Sequence, residues 1–318
     1  MAGRRLQLLW RWEGFAVRRD EVALLSGRMG LTFLSPALLF IILFLLFPFV
    51  WVVVISFTDR TLLGASAVSP KFVGLSNYLA LFSPERWMRR GEFGYSLYVT
   101  LMFVAGSIAG QMGLGITLSL LFFRREGILK EVMYTLVTLA WILPEAAMAF
   151  TWSAFFDRDA GTLNTILGWF GLGPYDWLLD YPLLSIIIFN IWRGTAFSML
   201  LMTAALGSIR PSYIETAMVA GASPWQRFRD IMFPLVRPQF LTGLVLITLW
   251  TFNVFTPFLL TQGGPAFQTE VVAIHTYRVA FRFYQFGRGS AIAVVVMVIN
   301  LILASVYLLS QRRQGVRA

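Results

Sequence analysis

Residues 39–57 read LFIILFLLFPFVWVVVISF, a run without a single charged side chain. A hydrocarbon layer takes about 20 mostly apolar residues per crossing helix. The full stretch is Leu31–Phe57, and five more follow: Tyr95–Phe123, Val132–Phe156, Leu183–Leu206, Phe240–Leu260 and Ala291–Leu309. The expected fold class is an all-α membrane protein with six transmembrane helices. Composition agrees: 58% of residues are apolar and 13% charged, against about 45–50% and ~25% in soluble domains. An Ala65-Ser66-Ala67 triplet follows the first run. That run is about twice the length of a signal-peptide core and follows a basic segment, so a retained helix is expected.

The chain excludes several chemistries. It has no cysteine and one histidine, His275, which leaves no disulfide framework, thiolate site or histidine-based zinc site. Its two lysines, Lys71 and Lys130, do not follow glycine, so there is no phosphate-cradling P-loop. The net charge of +10 would suggest nucleic acid in a soluble protein; here it reflects loop arginines. With the N-terminus inside, sixteen basic residues fall in segments 1–30, 124–131, 207–239 and 310–318, and nine in the other loops. The positive-inside rule then predicts that both termini are cytoplasmic. The expected domains are a cytoplasmic segment 1–30, a transmembrane domain 31–309 and a cytoplasmic tail 310–318. The first segment, rich in Arg, Leu and Trp, reads equally as a basic helix on the inner leaflet or as a solvated flank.

The most informative loop is 210–238, RPSYIETAMVAGASPWQRFRDIMFPLVRP. Ser212 and Glu215 stand at capping-box spacing, and so do Ser223 and Gln226. Gly221 offers the left-handed turn that ends a helix. Pro224 suits the first position of the next, and Pro234 and Pro238 are expected to stop it before the fifth span. The prediction is a cytoplasmic helix-turn-helix with a small-residue surface at Ala217, Ala220, Gly221 and Ala222.

Glu215-Thr216-Ala217, three residues, Gly221, nine residues, then Ile231 and Phe233-Pro234 resembles the EAA motif of ABC importer permeases. All spacings match; Thr216 replaces an alanine, Phe233 a leucine, and Ala220 stands where sugar permeases often carry Asp. The resemblance covers most of 31–309. Residues 141–164 are similar to the third-span region of carbohydrate permeases, and Asn190-Ile191-Trp192-Arg193-Gly194 to their fourth span. Thr261-Gln262-Gly263-Gly264-Pro265 with the stretch after it resembles the MalF/UgpA-type subunit. The resemblance implies an importer permease for a carbohydrate, a di- or oligosaccharide or a related polyol or glycerol phosphate, whose loop 210–238 is a coupling helix. Glu215, Thr216, Ala217, Gly221, Ala222, Ile231 and Pro234 would contact an ATPase subunit. It also implies the partners: a second, MalG-like permease, two copies of the ATPase, an extracytoplasmic sugar-binding protein, a carbohydrate and membrane lipid, but no nucleic acid. ATP and Mg²⁺ would sit on the ATPase and no cofactor on this chain, a non-catalytic component of the prokaryotic inner membrane.

Ionisable groups within spans are functional candidates. Here they are Arg193 and Glu145, which can pair with each other or meet substrate. The resemblance places Asn190, Arg193, Gly194, Phe197, Leu249, Trp250 and Asn253 at the substrate cavity. Amides hydrogen-bond hydroxyls and aromatic rings cover apolar sugar faces; Asn190, Arg193 and Phe197 share one helix face, and Trp250 and Asn253 are expected to share another. His275 reads as a solvent-near loop residue, and Asn300 as a helix-packing residue. A secondary transporter would need internal repeats and an ion site. A membrane enzyme would need a polar cluster at one face, for which only Asp157, Asp159, Asp176 and Asp180 offer themselves. Neither alternative explains loop 210–238.

Overall fold

The computed structural model describes residues 27–315. The basic N-terminal segment up to residue 26 and residues 316–318 lie outside the described residues. The chain divides into two units, 1–51 and 52–318. The described part of the first unit is one apolar helix, part of α1 (Gly30–Ser56), with a π-helical turn at Ile42–Leu46.

The second unit is built from helices. Among the described residues there is no strand, only one antiparallel bridge between Thr58 and Phe72. Its long elements are α2 (Phe93–Phe122), α3 (Ile128–Ile142), α4 (Glu145–Phe155) and α5 (Pro182–Gly207). They are followed by α6 (Pro211–Val219), α7 (Pro224–Phe252), α8 (Val272–Tyr277) and α9 (Phe286–Gly315). Helices α2 and α5 form the centre: 44% and 50% of their apolar stretches are buried, against 6% for α9. Lipid offers no hydrophobic drive for helix association, so small residues that let backbones approach take over. Gly106, Gly110 and Gly115 of α2 lie against Ile187, Ile191 and Ser198 of α5, where a β-carbon would overlap the opposing side chain. Gly194 gives the same close fit to Gln111.

Two expected spans are corrected. The stretch Val132–Phe156 is not one straight crossing: α3 and α4 meet at a bend of 107°. Pro144 causes it, because a proline forces the preceding residue out of the helical region, and Leu143 is extended at φ −61° and ψ 145°. The fifth span begins and ends earlier than Phe240–Leu260. Pro234 and Pro238 do not stop the hairpin helix, which runs unbroken into the membrane segment as α7. A π-helical turn at Phe228–Met232 precedes Pro234 and puts the Phe233 N–H on the Phe228 carbonyl. The widened turn accommodates the proline ring without ending the helix. After Phe252 the chain leaves the helix, and only a short helix Pro257–Thr261 follows.

Three apolar clusters hold this arrangement. Phe103, Phe156, Ile186, Phe189 and Phe252 join α2, α4, α5 and α7. Phe93, Val272, Ala291 and Ile292 join α2, α8 and α9. Leu206, Ile209, Ile214, Met232 and Val236 seat α6 beneath α5 and α7.

Candidate functional site

The bend between α3 and α4 puts Glu145 in the first turn of α4, facing Arg193 of α5. Arg193 is buried, at 7% exposure. Its Nη2 donates to Glu145 Oε1. Thr256, just past the end of α7, donates from Oγ1 to Glu145 Oε2 at 2.6 Å, and Arg193 Nη1 reaches Thr256 Oγ1 at 3.5 Å. The ion pair therefore ties the α3–α4 bend, α5 and the segment after α7 at one point. The carboxylate also gains from the positive end of α4.

Beside this pair lies a small, partly open pocket. Gln111, Trp141, Asn190, Arg193, Gly194, Phe197 and Trp250 line it, with Ile247, Thr251 and Val254. Trp141, Phe197 and Trp250 form a triangle, with ring centroids 5.8, 6.0 and 6.3 Å apart. The Arg193 guanidinium stands 6.0 Å from the Trp250 ring centre. Gln111 Nε2 donates to the Asn190 carbonyl at 2.9 Å. Two buried donors on the lining residues, Asn190 Nδ2 and Arg193 Nε, have no partner. Buried donors are normally satisfied, so a pocket carrying two free ones is suited to a ligand rich in acceptors.

Five of the seven residues expected at a cavity thus lie around this pocket: Asn190, Arg193, Gly194, Phe197 and Trp250. Leu249 and Asn253 line a different cavity, together with Asn300 of α9. There Asn253 and Asn300 exchange amide hydrogen bonds of 3.2 and 3.0 Å. Leu249 is turned about 100° from Trp250 on the helix. Asn253, three residues on, would share the face of Trp250, but α7 ends at Phe252 and Asn253 caps it at φ −102° and ψ 3°. Gln111, Trp141 and Thr256 were not anticipated. Gln111 carried a signal, a lone amide between Gly110 and Gly113 in an apolar run. Thr256 carried none.

The hairpin after α5 forms as α6, a turn and the start of α7. Gly221 takes φ +80°, the left-handed conformation that suits glycine. Ser223 and Gln226 close a reciprocal capping box: Gln226 N donates to Ser223 Oγ at 3.3 Å and Ser223 N to Gln226 Oε1 at 2.8 Å. The first expected cap is absent. Helix α6 starts at Pro211 after Arg210, with no side-chain cap, so Ser212 lies inside it. Glu215 is exposed and makes no ion pair among the described residues. Ala217 is not part of an open small-residue surface; with Ile214 it is buried on the inner side of α6. Thr216, Gly221 and Pro234 are exposed, and Ala222 and Ile231 half-buried. The same hairpin exposes apolar side chains, among them Met218 at 45%, Val219 at 91% and Trp225 at 64%.

A second charged cluster corrects the expectation for His275. It is not a solvent-near residue but buried at 2% exposure. Its Nδ1 lies 2.7 Å from Oε1 of Glu270, itself 1% exposed. Arg278 donates to the same oxygen from Nη2 at 2.7 Å and Nε at 3.1 Å, and from Nη2 to the Gly91 carbonyl at 2.6 Å. The cluster fastens α8 to the chain leading into α2. Among the described residues no group of histidines and carboxylates could hold a metal ion.

Set beside known proteins, residues 104–316 match the family described as the inner membrane component of binding-protein-dependent transport systems. The chain belongs to that family. The trehalose/maltose transport system permease protein MalF of Thermococcus litoralis is 31% identical over 292 residues, covering 89% of this chain and 93% of that one. The inner membrane ABC transporter permease protein YcjO of Escherichia coli is 32% identical over 302 residues, with 91% and 97% covered. The fold matches a chain in the crystal structure of a bacterial alginate ABC transporter bound to its pentasaccharide-loaded periplasmic protein, with a TM-score of 0.76. Identity there is 21%, and the match covers 90% of this chain and 95% of that one. This transport permease is therefore an inner-membrane component, and the pocket lies within its family-matched region.

Proposed function

We propose that this permease is the membrane-spanning, non-catalytic subunit of an ATP-driven importer for a carbohydrate or related polyol. The pocket beside Arg193 supports this reading most directly: it sets two unpartnered buried donors next to three aromatic rings. Hydroxyl-rich ligands supply acceptors for the donors and apolar C–H faces for the rings. Asn190, Arg193, Gly194, Phe197 and Trp250 line the path of the sugar; Leu249 and Asn253 serve the neighbouring cavity. A second, MalG-like permease completes the pore, an extracytoplasmic binding protein delivers the sugar, and two ATPase copies sit below. ATP and Mg²⁺ belong to those ATPases. Both termini are cytoplasmic, in keeping with the arginine distribution.

The hairpin couples the two machines. Glu215 stands exposed on a hairpin that also exposes Met218, Val219 and Trp225, so that an apolar cleft with a basic residue in it would fit both. Thr216, Gly221, Ala222, Ile231 and Pro234 shape the hairpin around it, while Ala217 holds α6 to the body. ATPase closure then shifts the cavity between inward-open and outward-open states, each ligand biasing the state it binds better. The test is Glu215→Lys in the assembled complex. Expected are normal yield and co-purification of the permease pair, with sugar uptake lost while ATP hydrolysis continues. Uptake at the unaltered rate would overturn the coupling role. Purification of the chain alone, still transporting without ATP, would overturn the importer reading.

A further inference from the structure

The ion pair at the pocket carries a statement about charge. Arginine stays protonated in proteins, so the positive charge of Arg193 must be balanced inside the membrane by some anion. Glu145 supplies it: Nη2 goes to Oε1, and Thr256 Oγ1 holds the other oxygen at 2.6 Å. With Nη1 near Thr256, only Nε of the guanidinium is left without a partner, together with Asn190 Nδ2. The pocket thus offers hydrogen-bond donors but no net charge. The carboxylate has not been sealed away with its partner: the Glu145 side chain is 47% exposed and that of Arg193 9%. A half-exposed carboxylate beside the pocket also repels an approaching anion.

We propose that Glu145 is a specificity-determining residue that sets this permease for uncharged, acceptor-rich saccharides and against sugar acids and sugar phosphates. The inference rests on the reading of the pocket as the sugar path. It gives Glu145 a role at a distance from the ligand: it cancels the field of Arg193, and Arg193 and Asn190 make the contacts. Removing the carboxylate charge leaves Arg193 uncompensated in a poorly screened site, and an anionic ligand then becomes the balancing group.

The experiment uses the assembled importer complex in nanodiscs, without nucleotide and without the binding protein, whose own selectivity would otherwise intervene. Ligand-observed saturation-transfer NMR compares methyl α-glucoside with methyl α-glucuronide, which differ by a C6 carboxylate, and disaccharides built from each. The unaltered complex is expected to favour the neutral sugar. Glu145→Gln is expected to reverse the order, with a change in the neutral-to-acidic ratio of at least about tenfold. Glu145→Gln combined with Arg193→Gln is expected to erase the charge preference, and Glu145→Asp to keep the original order. A merely structural role for Glu145 would lower both signals together and leave the ratio alone. An unchanged ratio in folded Glu145→Gln complex overturns the inference, as does preference of the unaltered complex for the glucuronide. No binding of either sugar by the unaltered complex overturns the reading of the pocket, and this inference with it.

Discussion

Two arginine–glutamate pairs in this chain are built to opposite designs. At Glu270 the carboxylate is 1% exposed, and one oxygen gathers His275 Nδ1 and two Arg278 donors, while Arg278 also binds a backbone carbonyl. At Glu145 the carboxylate is half-exposed, and the paired Arg193 keeps an unpartnered Nε beside an open pocket. Each cluster leaves one buried nitrogen without a partner, His275 Nε2 in the first and Arg193 Nε in the second. What differs is access: the Glu270 carboxylate is sealed at 1% exposure, whereas Glu145 is half-exposed and Arg193 lines a pocket where a ligand can come and go. Unpartnered nitrogens alone do not separate function from structure here; exposure of the carboxylate and the adjoining pocket do.

The comparison breaks most easily at Glu270. Glu270→Ala strands the Arg278 guanidinium and the His275 imidazole in a buried site. Losing one partner of a buried pair costs about 3–5 kcal/mol. The expected outcome is a large drop in yield and melting temperature of the purified complex, with the saccharide preference of the surviving fraction unchanged. Normal melting together with lost transport would make the Glu270 cluster a working part and would dissolve the contrast.

Thr256→Val probes the other cluster and carries a smaller effect. It removes the 2.6 Å bond to Glu145 Oε2 while keeping the side-chain shape. A hydrogen bond to a charged group is worth about 1.5–3 kcal/mol, and the half-exposed carboxylate places this one at the low end. Expected is a melting shift of a few degrees with a disproportionate fall in sugar uptake, because the segment after α7 loses its tie to the α3–α4 bend. A fall in uptake no larger than the loss of folded protein would show the two clusters to be equally structural.

Much of this molecule was legible in its residues, for identifiable reasons. Spans needing about 20 apolar residues leave a length signal, and α2, α5 and α9 fall close to their expected bounds. Gly221, Ser223 and Gln226 act through neighbours in sequence, so spacing alone found the hairpin turn. Asn190, Arg193 and Phe197 share a face by helical period, and they meet at one pocket. Legibility ended where partners are remote or geometry is cooperative. Leu143-Pro144 announced a break but not a 107° bend. Pro234 read as a stop because a π-helical turn upstream leaves no local mark. His275 read as a loop residue because its burial depends on Glu270 and Arg278 packing against α2. Thr256 had no signal at all, since its role exists only once α4 and α5 arrive.

The Asn253–Asn300 pair gives the smallest expected effect. The two amides bond each other at 3.2 and 3.0 Å, and Asn253 Nδ2 also donates to the Leu249 carbonyl at 2.7 Å, in the cavity between α7 and α9 rather than in the Arg193 pocket. Engaged in this way the pair reads as structural, although sequence resemblance puts Asn253 at a substrate cavity. Interhelical hydrogen bonds in membranes average about 0.6 kcal/mol in double-mutant cycles, because the separated helices find other partners. Asn253→Leu, Asn300→Leu and the double variant should therefore show a coupling of about that size by thermal unfolding. Uptake should track folded protein in all three. If Asn253→Leu abolishes uptake at undiminished stability while Asn300→Leu does not, the amide of Asn253 meets sugar during transport. Amides paired in one state of the cycle would then part in another, and their partners would have to be assigned for both states.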